Sequence, residues 1–162
     1  MTSNSLDINQ NRIKVVFADD ELPAREKLSH QLSLMENIEV VGIATNGKEA
    51  ISLINTLEPE VVLLDIQMPG LNGFEVVKKL PVNMMPMVIF ATAFEKYALE
   101  AFDLHAVDYV LKPFDPDRIK TAIERAQQRF RPDDESVEKS SLIGAINDIA
   151  TKRSGLDAKT LS

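Results

Sequence analysis

Short apolar runs rich in β-branched residues alternate with amphipathic segments along most of this sequence, and few folds accept that alternation. Lys14 to Ala18 predicts a first strand, and Pro23 to Leu34 a helix with Leu28, Leu32 and Met35 on one face. Val40 to Ala44 predicts a second strand, Asn46-Gly47 a turn, and Lys48 to Leu57 a second helix burying Ala50, Ile51 and Ile54, stopped by Pro59. Val61 to Leu64 is apolar without interruption, the signature of a central strand covered on both faces. After the Pro69-Gly70 break, Gly73 to Leu80 predicts a third helix, Met87 to Ala91 a fourth strand, Tyr97 to Leu104 a fourth helix and Tyr109 to Leu111 a fifth strand. Asp115 then suits an N-cap and Pro116 the first turn of a fifth helix, whose core face is Ile119, Ala122, Ile123 and Ala126. Strict alternation of this kind gives an α/β fold: a doubly wound, five-stranded parallel sheet with helices on both faces and right-handed crossovers.

In such a sheet the functional crevice lies beyond the carboxyl ends of the strands. Here the first strand runs into Asp19-Asp20 and Glu21, the third into Asp65, the fourth into Thr92-Ala93 and the fifth into Lys112-Pro113. Clustered carboxylates repel unless positive charge sits among them. A lysine supplies one such charge, and Mg²⁺ or Mn²⁺ is the kind of hard cation that carboxylates, waters and phosphate oxygens hold. An aspartate can attack a phosphoryl group, and a cation with a lysine can stabilise the charge on its oxygens.

Composition narrows the setting. There is no cysteine, so there is neither a disulfide framework nor a thiolate metal site. A net charge of -7 without a lysine- and arginine-rich face disfavours contact with nucleic acid by this segment. Met1 to Arg12 lacks the apolar core of a signal peptide, and no apolar run approaches the roughly 20 residues that span a bilayer. The expectation is a cytoplasmic protein that makes no membrane contact.

The set Asp19-Asp20, Asp65 within Leu-Leu-Asp-Ile-Gln-Met-Pro-Gly, Thr92-Ala93, Tyr109 and Lys112-Pro113 resembles the response-regulator receiver family of two-component systems, from about Ile13 to Arg129. The resemblance implies a signalling domain rather than an enzyme acting on other molecules. Asp65 would be the phosphoacceptor. Asp20 would bind the metal directly, Asp19 largely through water, and Asp65 and the backbone carbonyl of Gln67 would complete the protein ligands. Thr92 would reach for the phosphoryl group, Lys112 would bind it, and Tyr109 would be a rotating switch. The bond between Lys112 and Pro113 would be cis. The implied partners are a sensor histidine kinase and a second copy, paired through the fourth helix, fifth strand and fifth helix near Tyr97, Leu99 and Phe102. Slow autodephosphorylation would end the signal.

The run from Phe90 to Asp115 is similar, more narrowly, to the LytR/AlgR (LytTR) group of transcriptional regulators. There a DNA-binding domain of about a hundred residues follows the receiver, a normal size for a small domain. Only 32 residues follow Phe130, so DNA would be reached only through an effector domain absent from this chain. The expected division is an N-terminal extension over 1–12, a receiver over 13–130, and a linker with a short amphipathic helix over 131–162, where Leu142, Ile143, Ile146, Ile149 and Ala150 recur at helical spacing. The alternative output is that of a stand-alone or degenerate receiver serving only as a protein-interaction module.

Plainer roles exist for each residue. Asp65 alone could be a solvated strand-end acid, and Asp19, Asp20 and Glu21 could complement a helix dipole. Thr92 could be strand filler, Tyr109 a fixed core aromatic, and Lys112 a snorkelling surface lysine. His30 and His105 are expected on helices in surface or packing roles, and Met84, Met85 and Met87 as gap-filling core. Rival functions fit less well. A flavodoxin-type FMN carrier needs a hydroxyl- and glycine-rich first loop, and this one is acidic. A haloacid-dehalogenase phosphatase needs an acid at Gln67, and no P-loop is present.

Overall fold

The computed structural model describes residues 12–129. The expectations for 1–11 and for the tail beyond Arg129 therefore lie outside the described residues. Five strands form a parallel sheet in the order β2-β1-β3-β4-β5, the doubly wound arrangement that the alternation predicts.

Of the described residues, those from 12 to 86 make one compact unit. In it β1 (Ile13–Ala18) lies between β2 (Ile38–Ala44) and β3 (Val61–Leu64), paired in parallel with both. β2 begins two residues earlier than predicted because buried Ile38 pairs with Ile13. All four residues of β3 are buried, as are Val15, Val16 and Phe17 of β1. The chain goes to one side of β1 for β2 and to the other for β3, so the ends of β1 and β3 form a topological switch point, where α/β sheets place their sites.

Local chemistry sets the helix limits. α1 (Leu22–Ser33) carries Pro23 in its first turn, where a missing N–H costs nothing. In α2 (Gly47–Leu57) the Asn46 side chain accepts a hydrogen bond from the Glu49 N–H at 2.8 Å, so Asn46 caps the helix where a turn was expected. Gly47 belongs to the helix, and a Cβ there would lie 2.6 Å from the Leu71 carbonyl oxygen. Glu58, left-handed at φ 47°, ends α2 just before Pro59. α3 (Gly73–Lys78) opens on a reciprocal Asn72–Glu75 capping box and is two residues shorter than predicted. Met84 and Met85 are exposed rather than core, because they sit on and just after a single 3₁₀ turn (Val82–Met84) that presents little to the interior.

The second unit starts at Met87. Its strands β4 (Met87–Thr92) and β5 (Asp108–Leu111) run parallel, with Phe90 opposite Tyr109 and Thr92 opposite Leu111. A 3₁₀ turn (Glu95–Tyr97) takes up the start of the predicted fourth helix, leaving α4 as Ala98–Asp103. His105 lies beyond α4 in a turn at φ 60° and is exposed; His30 is exposed on α1. α5 (Pro116–Gln128) starts at the Asp115 cap, which accepts from the Arg118 N–H at 2.9 Å. It buries Ile119, Ala122, Ile123 and Ala126, the face its periodicity gives. Among the described residues, no helix is long and apolar enough to cross a membrane.

Candidate functional site

The acidic end of the first unit is built from two neighbouring strands. Asp19, one residue past β1, keeps its N–H on the Ala44 carbonyl at 3.1 Å and is buried. Its carbonyl accepts from Arg25 Nη1 at 2.9 Å, and its Oδ1 accepts from the Glu21 N–H at 3.0 Å. Carboxylate oxygens of Asp19, Asp20 and Glu21 all lie within 4.8 Å of one another. The parallel register puts Ala18 opposite Leu64, so Asp65 emerges beside Asp19, and its N–H donates to the Ala18 carbonyl at 3.0 Å. Asp65 is only 6% exposed.

The loop after Asp65 alternates buried Ile66 and Met68 with exposed Gln67. It is held against the start of α3, where the Gly73 N–H donates to the Ile66 carbonyl at 2.8 Å. A Cβ on Gly73 would meet the Asp65 carbonyl oxygen at 2.5 Å, closer than packed atoms allow. Glycine at 73 thus permits the close approach that sets the backbone of the acidic loop, a role beyond the helix start that its place in the sequence predicts.

These donors suit a hard divalent cation: carboxylate oxygens, close together, one of them buried and the others open to water. Asp19, Asp20 and Glu21 form the tight group. Asp65 and Gln67, which the sequence reading adds to the ligand set, follow at the end of the adjacent strand.

The second unit brings Thr92 and Lys112 to the paired ends of β4 and β5. Thr92 is fully buried; its Oγ1 accepts from the Phe94 N–H at 3.3 Å and its carbonyl from the Lys112 N–H at 2.8 Å. Lys112 is half-buried, and the Lys112–Pro113 bond is cis. Tyr109 points inward and is fully buried, with its hydroxyl donating to the Phe94 carbonyl. Phe94 is therefore held at both backbone groups, by Thr92 and by Tyr109. Its ring meets that of Tyr97 edge-on at 6.0 Å, with Lys96 Nζ 5.8 Å and 5.2 Å from the two centroids.

One group escaped the sequence reading. Asp108, with 0% exposure, takes a two-pronged ion pair from Arg118 at 2.8 Å and a further one from Arg125 Nη1 at 2.9 Å. Asp108 Oδ1 also accepts the Tyr109 N–H at 2.8 Å, and Arg118 Nη2 reaches the Tyr109 carbonyl at 3.1 Å. Two helix turns separate Arg118 from Arg125, so both arise from one face of α5. An aspartate inside an apolar strand, followed by two arginines seven apart, was the available signal.

The comparison with known families settles what kind of domain carries these groups: the response regulator receiver domain matches residues 15–124. The chain belongs to the response regulator receiver family. A response regulatory protein of Shewanella oneidensis is 42% identical over 120 residues, covering 74% of this chain and 51% of that protein. The transcriptional regulatory protein BtsR of Escherichia coli is 42% identical over 125 residues, 77% of this chain and 52% of BtsR. This receiver thus spans about half the length of the curated relatives it matches. Among solved structures, the receiver domain of NarL from Mycobacterium tuberculosis is 30% identical with a TM-score of 0.67, covering 72% of this chain and 98% of that one. The response regulatory domain of mrkE from Klebsiella pneumoniae is 28% identical with a TM-score of 0.66, covering 73% and 98%.

Proposed function

We propose that this receiver accepts a phosphoryl group on Asp65 from a phosphohistidine of a sensor kinase, or from a small phosphodonor, and answers with a change of shape. The observation that carries this reading is the placement of buried Asp65 beside the Asp19–Asp20–Glu21 cluster at the switch point of the sheet. An Asp65 carboxylate oxygen attacks phosphorus as the N–P bond breaks. The electron pair stays on the imidazole nitrogen, which then takes up a proton. Asp19, Asp20, Asp65 and the Gln67 carbonyl would hold Mg²⁺ or Mn²⁺, which when bound offsets the repulsion between the acids and the phosphoryl oxygens. Lys112 would bind a phosphoryl oxygen and Thr92 would donate its hydroxyl to another. Slow hydrolysis of the acyl phosphate would reset the domain.

The test is the rate of phosphorylation by a small phosphodonor, followed by mass spectrometry. In the wild type the rate should rise with Mg²⁺ and saturate. Asp20→Ala should slow it about 100-fold, the scale of losing one group that stabilises transition-state charge. A rate indifferent to both chelator and this substitution would remove the cation from the reading.

For output, Thr92 would move toward the phosphoryl group with Tyr109 packed behind it, biasing the surface of α4, β5 and α5 toward a symmetric dimer. Leu99, 71% exposed, and Phe102 give that surface apolar area. Beryllofluoride, as a phosphoryl mimic, should tighten dimerisation roughly tenfold, within the usual span of coupling between two sites. Sedimentation of the full chain at concentrations around its resting dissociation constant measures this, and unchanged association would sink the dimer switch while leaving Asp65 as acceptor. We assign the further output to transcription in the cytoplasm, through a LytTR-type DNA-binding domain. Support comes from the run Phe90 to Asp115 and from relatives that are transcriptional regulators.

A further inference from the structure

Arg25 lies near the N-terminal end of its helix, where the dipole by itself disfavours a cation. It is the fourth residue of α1, next to the positive end of the helix dipole, and the first turn before it contains no acid. Its guanidinium turns back past that turn and donates from Nη1 to the Asp19 carbonyl at 2.9 Å, while its own N–H makes the helical bond to the Glu21 carbonyl at 3.0 Å. The Asp19 carbonyl is the first beyond the last residue of β1. It belongs to a buried residue, so it needs a partner as the chain leaves the sheet. With the Asp19 N–H on Ala44 and its Oδ1 on the Glu21 N–H, the Arg25 bond completes the fixing of the Asp19 backbone. The direction in which Asp19 and Asp20 present their carboxylates follows from that backbone.

We propose that Arg25 is a positioning residue for the acidic site. It acts through the Asp19 carbonyl to hold Asp19, Asp20 and Glu21 in a preformed cluster, and its charge relieves their mutual repulsion while no cation is bound. The inference rests on the reading of this cluster as the cation site of the phosphoacceptor. It separates two effects of opposite sign. As a charge alone, Arg25 opposes a cation, so its removal would tighten metal binding. As a positioning group it prepares the ligands, so its removal weakens metal binding.

The experiment compares Arg25→Met, which loses donor and charge, with Arg25→Gln, which keeps an N–H donor without charge. Mn²⁺ binding is read by electron paramagnetic resonance and by calorimetry, on the full chain without a phosphodonor. Arg25→Met should weaken Mn²⁺ about tenfold, the lower end of what groups behind metal ligands contribute. Arg25→Gln should lie nearer the wild type. Equal or tighter binding in both variants would overturn the proposal. Amide exchange at Glu21 in the metal-free protein gives a second, independent reading. Its N–H bonds to Asp19 Oδ1, so it should lose protection in Arg25→Met, and unchanged protection there would also overturn the positioning role. A wild type that exchanges as expected but binds no Mn²⁺ would sink the cation reading of the cluster and leave the hold of Arg25 on Asp19 standing.

Discussion

Asp65→Asn is expected to take up no phosphoryl group from any donor while folding as well as the wild type, or better. The amide occupies the same volume as the carboxylate but has no nucleophilic oxygen at neutral pH, so the loss is of chemistry rather than shape. Asp65 sits 6% exposed at the end of β3, and its N–H bond to the Ala18 carbonyl involves only backbone, which the substitution leaves alone. Replacing the charge also removes repulsion from Asp19 and its neighbours, so thermal stability without Mg²⁺ should hold or rise, as is common where function opposes stability. Intact mass after treatment with a small phosphodonor checks the first expectation and a melting curve the second. An adduct on the variant equal to that on the wild type would move the acceptor elsewhere. A collapsed melting transition would show that Asp65 serves the fold.

How much of this could be read from residues alone depended on whether the signal was periodic or positional. The strands were legible because Val61 to Leu64 and Val15 to Phe17 are apolar in runs too short for helices, and the structure buries each of these residues. Parallel strands deliver their ends to one edge of the sheet, so the acids after β1 and β3 are placed together by the strand pattern alone. Helix boundaries were less legible. Asn46 uses the same side-chain oxygen for a turn or for a cap, and only the path of the following chain decides between them. Met84 and Met85 were misjudged because hydrophobicity does not say which way a short 3₁₀ turn faces. Gly73 looked like a helix start, and its closeness to the Asp65 carbonyl is a property of packing that no pattern displays. The cis bond at Pro113 came from the family resemblance, since an X-Pro sequence permits either isomer.

Asp108→Ala is expected to cost more stability than any substitution at the acidic site, about 3 kcal/mol, the low end for removing one partner from a buried ion pair. The carboxylate is fully buried and accepts from Arg118, Arg125 and the Tyr109 N–H, so its removal leaves two guanidinium groups and one amide short of an acceptor. The arginine side chains are 20% and 19% exposed and can turn partly to water, which keeps the loss at the low end. Arg125→Met should cost much less, about 1 kcal/mol, because Asp108 would keep the two-pronged Arg118 pair. Asp108→Asn should fall between them: it restores one acceptor oxygen but turns an amide N–H₂ toward a guanidinium. Urea unfolding measures all three, and the midpoints should shift while the slope stays that of the wild type. Added salt should shrink the differences only slightly, since a pair out of water is weakly screened. A loss below about 1 kcal/mol for Asp108→Ala would mean that the arginines find equal partners in water. The network would then serve to place α5 against β5 at Tyr109, with no net contribution to holding the fold together.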